Sequence, residues 1–180
     1  MSHLPLKTNR LLLRDFCADD FQDVHAYARD PEVVRFVQWG PNTEADTHGF
    51  LAHVLNLSEV KPRLDFELAV VWAPENRLIG GASIHISDQA NREGWIGYCL
   101  NREFWGRGVA TEAAKALVAF GFAALELHRI YATCDPANVG SRTVLQKIGM
   151  RQEGHFRSHK LVRGKWRDTE IFAIIDDEAR

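Results

Sequence analysis

A short glycine loop, Gly106 to Gly108, joins an apolar strand at residues 95–100 to an alanine-rich helix that begins at Val109. Because glycine has no Cβ atom, such a loop can bring several backbone N–H groups close to one ligand. The first N–H groups of the helix lack intrahelical partners and lie at the positive end of the helix dipole. Thr111 and Glu112 suit a first helical turn. The segment therefore predicts an anion site, most naturally for phosphate, with a simple capped turn as the alternative.

The familiar nucleotide-binding loops do not fit this segment. No Gly-Lys-Ser/Thr sequence follows the glycines, which argues against a loop for nucleoside triphosphates. A dinucleotide fingerprint needs a third glycine where Thr111 stands, and it lies early in its domain, whereas Gly106 lies past the middle of the chain. A dinucleotide-dependent oxidoreductase is accordingly disfavoured, and another phosphate-bearing ligand is expected.

The composition is typical of a soluble globular protein. With 180 residues, 46% of them hydrophobic and 26% charged, we expect a single domain over residues 1–180. The net charge of −2 argues against nucleic acid and anionic membranes as partners. No apolar run approaches the ~20 residues of a membrane span, and residues 1–7 lack the apolar core of a signal peptide. Three cysteines, far apart, indicate a reducing cytoplasm rather than a disulfide framework.

The hydrophobic periodicity predicts a mixed α/β protein with seven strands and four helices. The predicted strands are 10–16, 66–72, 78–86, 94–100, 128–134, 151–161 and 165–175, and the predicted helices are 18–30, 43–57, 109–124 and 138–148. This order gives a mixed sheet with helices on both faces. The strand-helix-strand unit 94–134 makes its two strands parallel, with a right-handed crossover.

Four segments, in order along the chain, carry a resemblance to a known family. They are Thr8-Asn-Arg-Leu-Leu-Leu-Arg-Asp-Phe, then Trp95-Ile-Gly-Tyr-Cys-Leu followed by Phe-Trp-Gly-Arg-Gly-Val-Ala-Thr-Glu-Ala, then Asn138-Val-Gly-Ser-Arg-Thr-Val-Leu-Gln-Lys-Ile-Gly-Met-Arg-Gln-Glu-Gly, and finally Gly164-Lys-Trp-Arg-Asp-Thr-Glu-Ile-Phe. As an ordered set that spans nearly the whole chain, they resemble the GNAT-type N-acetyltransferases. The likeness is strongest to the RimJ/RimL branch, which acetylates protein amino termini.

The resemblance implies the GNAT fold, an α/β (α+β) architecture whose mixed, mostly antiparallel sheet splays between its parallel fourth and fifth strands. It also implies acetyl-CoA as co-substrate and direct attack by a primary amine, without a covalent enzyme intermediate. The pyrophosphate would lie on backbone N–H groups of residues 106–111, and the pantetheine arm would bond the splayed strand. The residues expected to bind the cofactor are Tyr98, Cys99, Leu100, Trp105, Gly106, Arg107, Gly108, Val109, Ala110, Thr111, Asn138 and Ser141.

The chain departs from the wider family at residues that move protons. Leu145 stands where many relatives carry the tyrosine that protonates the leaving thiolate. Ser141, the usual substitute in this branch, is assigned that role, and helix capping is the alternative for both Ser141 and Asn138. Lys160 stands about where some ribosomal-protein acetylating members place a carboxylate base, which leaves the base open.

Glu93 and His85 are the two candidates for the general base. Glu93 lies at the start of the strand that leads to the splay. His85 lies on the neighbouring strand, and a histidine pKa suits proton transfer near neutrality. Surface solvation of Glu93 and an ordinary satisfied histidine at His85 are the structural alternatives. A water chain without a dedicated base is a third route.

The predicted function is acetyl transfer from acetyl-CoA to a primary amine, with a protein or peptide amino terminus favoured as acceptor. A polyamine, aminoglycoside or amino acid is the alternative acceptor. A non-catalytic acyl-CoA-binding module is the second class of function; Leu145 and Lys160 favour it, whereas Ser141 favours the enzyme. No metal site is expected, because His155 and His159 are four residues apart on a predicted strand rather than a helix. The resemblance also favours a homodimer.

Overall fold

A computed structural model describes residues 4–178. The strands are β1 (Leu6–Lys7), β2 (Leu11–Asp15), β3 (Asp65–Trp72), β4 (Arg77–Asp88), β5 (Glu93–Leu100), β6 (Arg129–Cys134), β7 (Arg151–Val162) and β8 (Lys165–Ile175). The helices are α1 (Phe21–Ala28), α2 (Glu44–Glu59), α3 (Val109–Ala123) and α4 (Val139–Lys147). Within the described residues, all the strands form one sheet in the order β1-β2-β3-β4-β5-β6-β8-β7.

The sheet is antiparallel at every neighbouring pair except β5 and β6, which are parallel and are joined through α3. This confirms the predicted mixed, mostly antiparallel architecture, and each of the seven predicted strands is present within two residues of its expected bounds. β1 was not predicted, because two residues are too short for a periodic signal. It extends the sheet by pairing Leu6 with Leu13 of β2.

Two hydrophobic clusters lie on opposite faces of the sheet. On one face α3 and α4 cover the larger cluster, in which Ala113, Ala114 and Leu117 are fully buried. On the other face α1 and α2 pack over Ala69 and Leu78. Because successive side chains of a strand point to opposite faces, β3 and β4 contribute residues to both clusters. We call these the α3 face and the α1 face.

The first helix is shorter than predicted. A single 3-10 turn, Ala18–Asp20, precedes α1, and α1 ends at Ala28 rather than at residue 30. The turn forms because the Asp20 carboxylate accepts hydrogen bonds from the Cys17 N–H at 2.8 Å and from Arg14 at 2.7 and 2.8 Å. Such local bonds favour a turn over a regular helix.

Among residues 4–178, no helix is both long and apolar enough to cross a membrane.

Candidate functional site

β5 and β6 are paired at only one end. Their parallel pairing covers three residue pairs and stops at Trp95↔Tyr131. Beyond this point β5 stays paired with β4 as far as Leu100, while β6 stays paired with β8 as far as Cys134. The two strands therefore part into a wedge, and one backbone edge of β5 faces the wedge instead of a neighbouring strand. This confirms the predicted splay, with Tyr98, Cys99 and Leu100 on its β5 side.

The glycine loop lies at the open end of this wedge. Gly106 and Gly108 have φ angles of 73° and 74°, a left-handed conformation that costs other residues about 1–2 kcal/mol. A Cβ atom on Gly106 would meet nothing within 4 Å, so backbone conformation rather than space requires this glycine. Gly108 is the N-cap of α3, and the next three residues form its first turn, where N–H groups have no intrahelical acceptor: Val109, Ala110 and Thr111.

Glu112 anchors the loop to the start of the sheet. Its carboxylate accepts hydrogen bonds from the Thr8 hydroxyl at 2.6 Å, from the Arg10 N–H at 2.9 Å and from Arg10 Nε at 2.7 Å. Arg10 also donates to the backbone carbonyl of Arg107 at 3.1 Å. Although burial raises the pKa of Glu112, the bonds from Thr8 and Arg10 hold it below its ordinary value. The Glu112 carboxylate is thus already paired with a cation.

Trp105 closes the loop against β5. Its indole Nε1 donates to the backbone carbonyl of Leu100 at 2.9 Å, while the residue remains 48% exposed. The preceding turn is capped by Asn101, whose side chain accepts from the Glu103 N–H. The indole therefore fixes the point at which the chain leaves the strand.

Tyr98 and Ser141 meet across the wedge. The Tyr98 hydroxyl lies 3.0 Å from Ser141 Oγ and 3.3 Å from the Ser141 carbonyl oxygen. Burial raises the pKa of Tyr98 to about 12, while the bond to Ser141 lowers it, so the phenol is protonated at neutral pH. Ser141 lies in the first turn of α4, and the N-cap residue Asn138 accepts the Ser141 N–H at 3.1 Å. The Asn138 side chain is therefore engaged in capping, and the Ser141 hydroxyl contacts β5.

Two ion pairs hold the start of α4 against β8. Arg142 donates to both oxygens of Glu170, at 2.9 and 2.8 Å, and Arg167 donates to Asp135 at 2.9 Å. Leu145, one turn further along α4, is 1% exposed and belongs to the core. The helix therefore uses that position for packing, which leaves Ser141 as its polar contact with the wedge.

The thiols near the wedge are poor nucleophiles. Cys99 and Cys134 are free cysteines; Cys99 is the last residue but one of β5, and Cys134 is the last residue of β6. Burial raises the pKa of Cys99 to about 12 and that of Cys134 to about 11. Because the thiolate is the reactive form, both groups are inert at neutral pH.

Glu93 lies at the paired end of β5, away from the open end of the wedge. Its carboxylate accepts a hydrogen bond from Arg129 Nε at 2.9 Å, and Arg129 also binds Glu153. Arg129 thus engages both carboxylates, and the structure does not bring Glu93 together with Tyr98 and Ser141.

His85 lies on the α1 face between two carboxylates of β3. Its Nδ1 is 2.7 Å from Asp65 Oδ1, and its ring stacks on Trp95 with centroids 3.9 Å apart. Its Nε2 is 3.2 Å from Glu67 Oε1, and this buried nitrogen has no hydrogen-bond partner among the described residues. Burial lowers the pKa of His85, but Glu67 and Asp65 together raise it above its ordinary value.

Asp65 and Glu67 were not predicted as site residues from the sequence. Their signal is an alternation on β3, where both acidic residues fall on the face opposite the buried Phe66 and Leu68. That alternation also fits a solvated strand, so only the pairing of β3 with β4 shows that the two carboxylates flank His85.

The part of the chain that the structure describes contains no group of three or more histidine, cysteine, aspartate or glutamate side chains able to hold a metal ion. His155, one of the two histidines considered from the sequence, is instead 2.8 Å from Asp168 across the β7–β8 hairpin.

Comparisons with known proteins agree with this geometry. A family model described as an acetyltransferase (GNAT) domain matches residues 10–151. The chain is 33% identical over 175 residues to the uncharacterized N-acetyltransferase YnaD of Bacillus subtilis (strain 168), covering 96% of this chain and 98% of that protein.

Two solved structures share the whole architecture. The ribosomal-protein-S5-alanine acetyltransferase of Vibrio fischeri has a TM-score of 0.83 and 26% identity, covering 98% of this chain and 99% of that one. RimJ of Mycobacterium smegmatis, solved in complex with CoA-disulfide, has a TM-score of 0.82 and 26% identity, covering 93% of this chain and 83% of that one.

Proposed function

The chain belongs to the GNAT acetyltransferase family, and on that premise we propose that this acetyl-CoA-dependent N-acetyltransferase acts on the amino terminus of a protein. The observation that carries the proposal is the wedge between β5 and β6, which opens beside the glycine loop and is bridged by the Tyr98–Ser141 contact. The relative from Vibrio fischeri, named for acetylation of an alanine of ribosomal protein S5, supports a protein acceptor.

The wedge and the loop suit the two parts of acetyl-CoA. Backbone N–H groups of residues 106–111 would bind the pyrophosphate, because a glycine turn followed by a helix N-terminus presents several donors to one anion. The open edge of β5, from Tyr98 to Leu100, would bond the amides of the pantetheine arm in the way that a neighbouring strand would. RimJ, in complex with CoA-disulfide, supports this use of the fold.

Ser141 and Tyr98 would serve the leaving group. As the amine nitrogen forms its bond to the acetyl carbon, the carbon–sulfur bond breaks and the sulfur takes the electron pair. Ser141 would give its proton to this sulfur. It would regain, through the Tyr98 hydroxyl 3.0 Å away, the proton that the nitrogen releases as the amide forms, so that Tyr98 ends protonated, as it is at neutral pH. A backbone N–H near Tyr98 or Cys99 would polarise the thioester carbonyl.

The test measures thiol release from acetyl-CoA with a panel of amines. The panel contains peptides that start with Ser, Ala, Thr or Met, together with polyamines, aminoglycosides and free amino acids. We expect turnover on peptides. Turnover on small amines alone would overturn the protein acceptor. If no amine gave thiol release while acetyl-CoA still raised the melting temperature, the result would indicate a binding function instead of catalysis.

The variant Ser141→Ala tests the assignment of the acid. We expect kcat to fall about 10²-fold, the lower range for a general acid, while the melting-temperature rise caused by acetyl-CoA is retained. Ser87→Ala is the matched control, because Ser87 lies exposed on β4 and its hydroxyl donates to the backbone carbonyl of Glu93 at 3.3 Å. Unchanged turnover in Ser141→Ala would show that its hydroxyl only contacts Tyr98.

A further inference from the structure

His85 is a buried titratable group that the proposed acetyl transfer has not yet used. Both ring nitrogens face carboxylates, Asp65 at 2.7 Å and Glu67 at 3.2 Å, and Trp95 covers one face of the ring. The side chain is 10% exposed, whereas those of Glu67 and Asp65 are 26% and 45% exposed. A substrate therefore cannot reach the imidazole, whereas the carboxylates on either side of it are accessible to solvent.

The register of the sheet places Glu67 in line with the open part of the wedge. Glu67 of β3 pairs with Ser83 of β4, and Ser83 pairs with Gly97 of β5. Gly97 lies two residues beyond Trp95, where β5 and β6 separate. With strands about 4.8 Å apart, Glu67 lies about 10 Å across the sheet from Gly97, a gap that its side chain and one water span.

The indole of Trp95 borders the row that joins Gly97 to Glu67, because a Cβ atom built on Gly97 would come within 3.6 Å of Trp95 Cζ3. Gly97 has no side chain, and a Cβ atom built on it would come within 3.3 Å of Ser83 Oγ. The hydroxyl of Ser83 therefore lies beside the row that joins Gly97 to Glu67. A water on this row would find two polar partners, as a bridging water requires.

The polar groups near the wedge lie on two different faces of the sheet. Tyr98, which contacts Ser141, packs against the α3-face cluster, whereas Cys99 packs against the α1-face cluster. Glu67 and His85 alternate with Leu68 and Ile84 of the α3-face cluster, so they face α1. A group that takes a proton from the amine and a group that protonates the sulfur would thus lie on opposite faces of one sheet.

We propose that Glu67 is the base of this reaction and that the Asp65–His85 pair holds the proton that Glu67 takes up. This rests on the proposed acetyl transfer. The attacking ammonium loses a proton through a water to Glu67, and the proton moves to Nε2 of neutral His85. The imidazolium so formed lies between two carboxylates. After the transfer the proton returns to solvent through Glu67, so the cluster ends unchanged. Glu67 is the catalytic residue, and His85 and Asp65 are positioning residues.

The charges around the cluster fit a proton acceptor. Asp65 and Glu67 face His85 from β3, and they raise its pKa although burial lowers it. Burial raises the pKa values of Tyr27 on α1 and Cys99 on β5, so both groups face the cluster uncharged. Two further charged groups lie nearby and are already paired: Asp20, bound to Arg14, and Arg63, bound to Asp15 and to the Asp65 carbonyl.

The test compares Glu67→Gln with Glu75→Gln, the same substitution in the exposed β3–β4 turn. On the acceptor that the wild type uses, we expect Glu67→Gln to lower kcat about 10²-fold, with an unchanged KM for acetyl-CoA and an unchanged melting-temperature rise on its addition. Glu75→Gln should match the wild type. Equal kcat in both variants would overturn the proposal, while a silent wild type would overturn the acetyl transfer itself.

A pH profile separates a proton-handling role from a structural one. Glu67 can pass its proton on only to a neutral His85, and the two carboxylates raise the pKa of His85, so kcat/KM of the wild type should fall with acid at a pH above the 6.5 of an ordinary histidine. Asp65→Asn removes one carboxylate from His85 and should move this fall to lower pH by about one unit. An unmoved profile, or a loss of turnover in Glu93→Gln but not in Glu67→Gln, would overturn the assignment.

Discussion

Asp20 shows how one buried charge shapes the entry to α1. It is 6% exposed and accepts hydrogen bonds from Arg14 and from the Cys17 N–H. Burial raises its pKa, but these bonds lower the pKa below the ordinary value of 3.8. Because protonation breaks the ion pair, Asp20 stabilises the fold above pH 3.8, and this stability is lost as the pH falls below that value.

We therefore expect Asp20→Asn to lower the free energy of unfolding at pH 7 by about 1–3 kcal/mol, the range for charged hydrogen bonds. The difference from the wild type should shrink as the pH falls below 3.8, because the wild type then loses the same charge. Urea unfolding at a series of pH values measures both effects. Asp19→Asn, at the exposed neighbouring position, is the control. A difference that is constant with pH would contradict the ion pair as its source.

At the same scale, the sequence pointed to some site residues and could not point to others. Gly106 and Gly108 lie in a contiguous motif, so local spacing was enough to single them out, whereas Ser141 was implied by the family resemblance. Glu67 becomes a candidate only through the pairing of β3 with β4 and of β4 with β5, which brings together residues far apart in the chain. A single acidic residue on a half-exposed strand has no local signal that distinguishes it from a solvated one.

At the scale of elements, the β7–β8 hairpin is tied to the α1–α2 connection by one side chain. The guanidinium of Arg163, in the hairpin turn, donates to five backbone carbonyls at 2.9 to 3.5 Å: Val34, Arg35, Val37, Trp39 and Gly40. Arg163 itself has a φ of 47°, which is unfavourable for a residue with a side chain. The hairpin thus retains an arginine at a position where glycine would suit the backbone better.

We expect Arg163→Gly to loosen residues 34–40 even though it relieves the backbone. Hydrogen exchange of the Val34 and Val37 amides, which bond within this connection, should speed up about 5- to 150-fold, corresponding to about 1–3 kcal/mol. Lys165→Ala, two residues further on at an exposed position, is the control. Unchanged exchange would mean that the connection is held by its own turns.

The elements themselves were well predicted, and the failures have physical causes. Long periodic segments such as α3 and β8 appear at their expected bounds. The predicted first helix is shortened by the Asp20 bonds, and β1 is too short for a pattern. The Arg163 contacts join segments about 125 residues apart, which local periodicity does not report.

At the scale of the molecule, the sheet separates cofactor binding from the proposed base. The glycine loop lies at the N-terminus of α3, which packs on one face, whereas Glu67 points to the other. Substitutions at separate sites that share no partner add in free energy within about 0.5 kcal/mol. Tyr98 and Ser141, which are 3.0 Å apart, belong instead to one contact.

This division predicts how double variants behave. Gly108→Ala should weaken acetyl-CoA binding about 5- to 30-fold, because the loop relaxes from its left-handed conformation and binding must restore it at a cost of about 1–2 kcal/mol. Combined with Glu67→Gln, its effect on kcat/KM should equal the product of the two single effects. The loss of kcat/KM in the double variant Tyr98→Phe with Ser141→Ala should be smaller than the product of the two single losses, because either substitution alone breaks their contact. Coupling above about 1 kcal/mol between Gly108 and Glu67 would show that the two faces do not act independently.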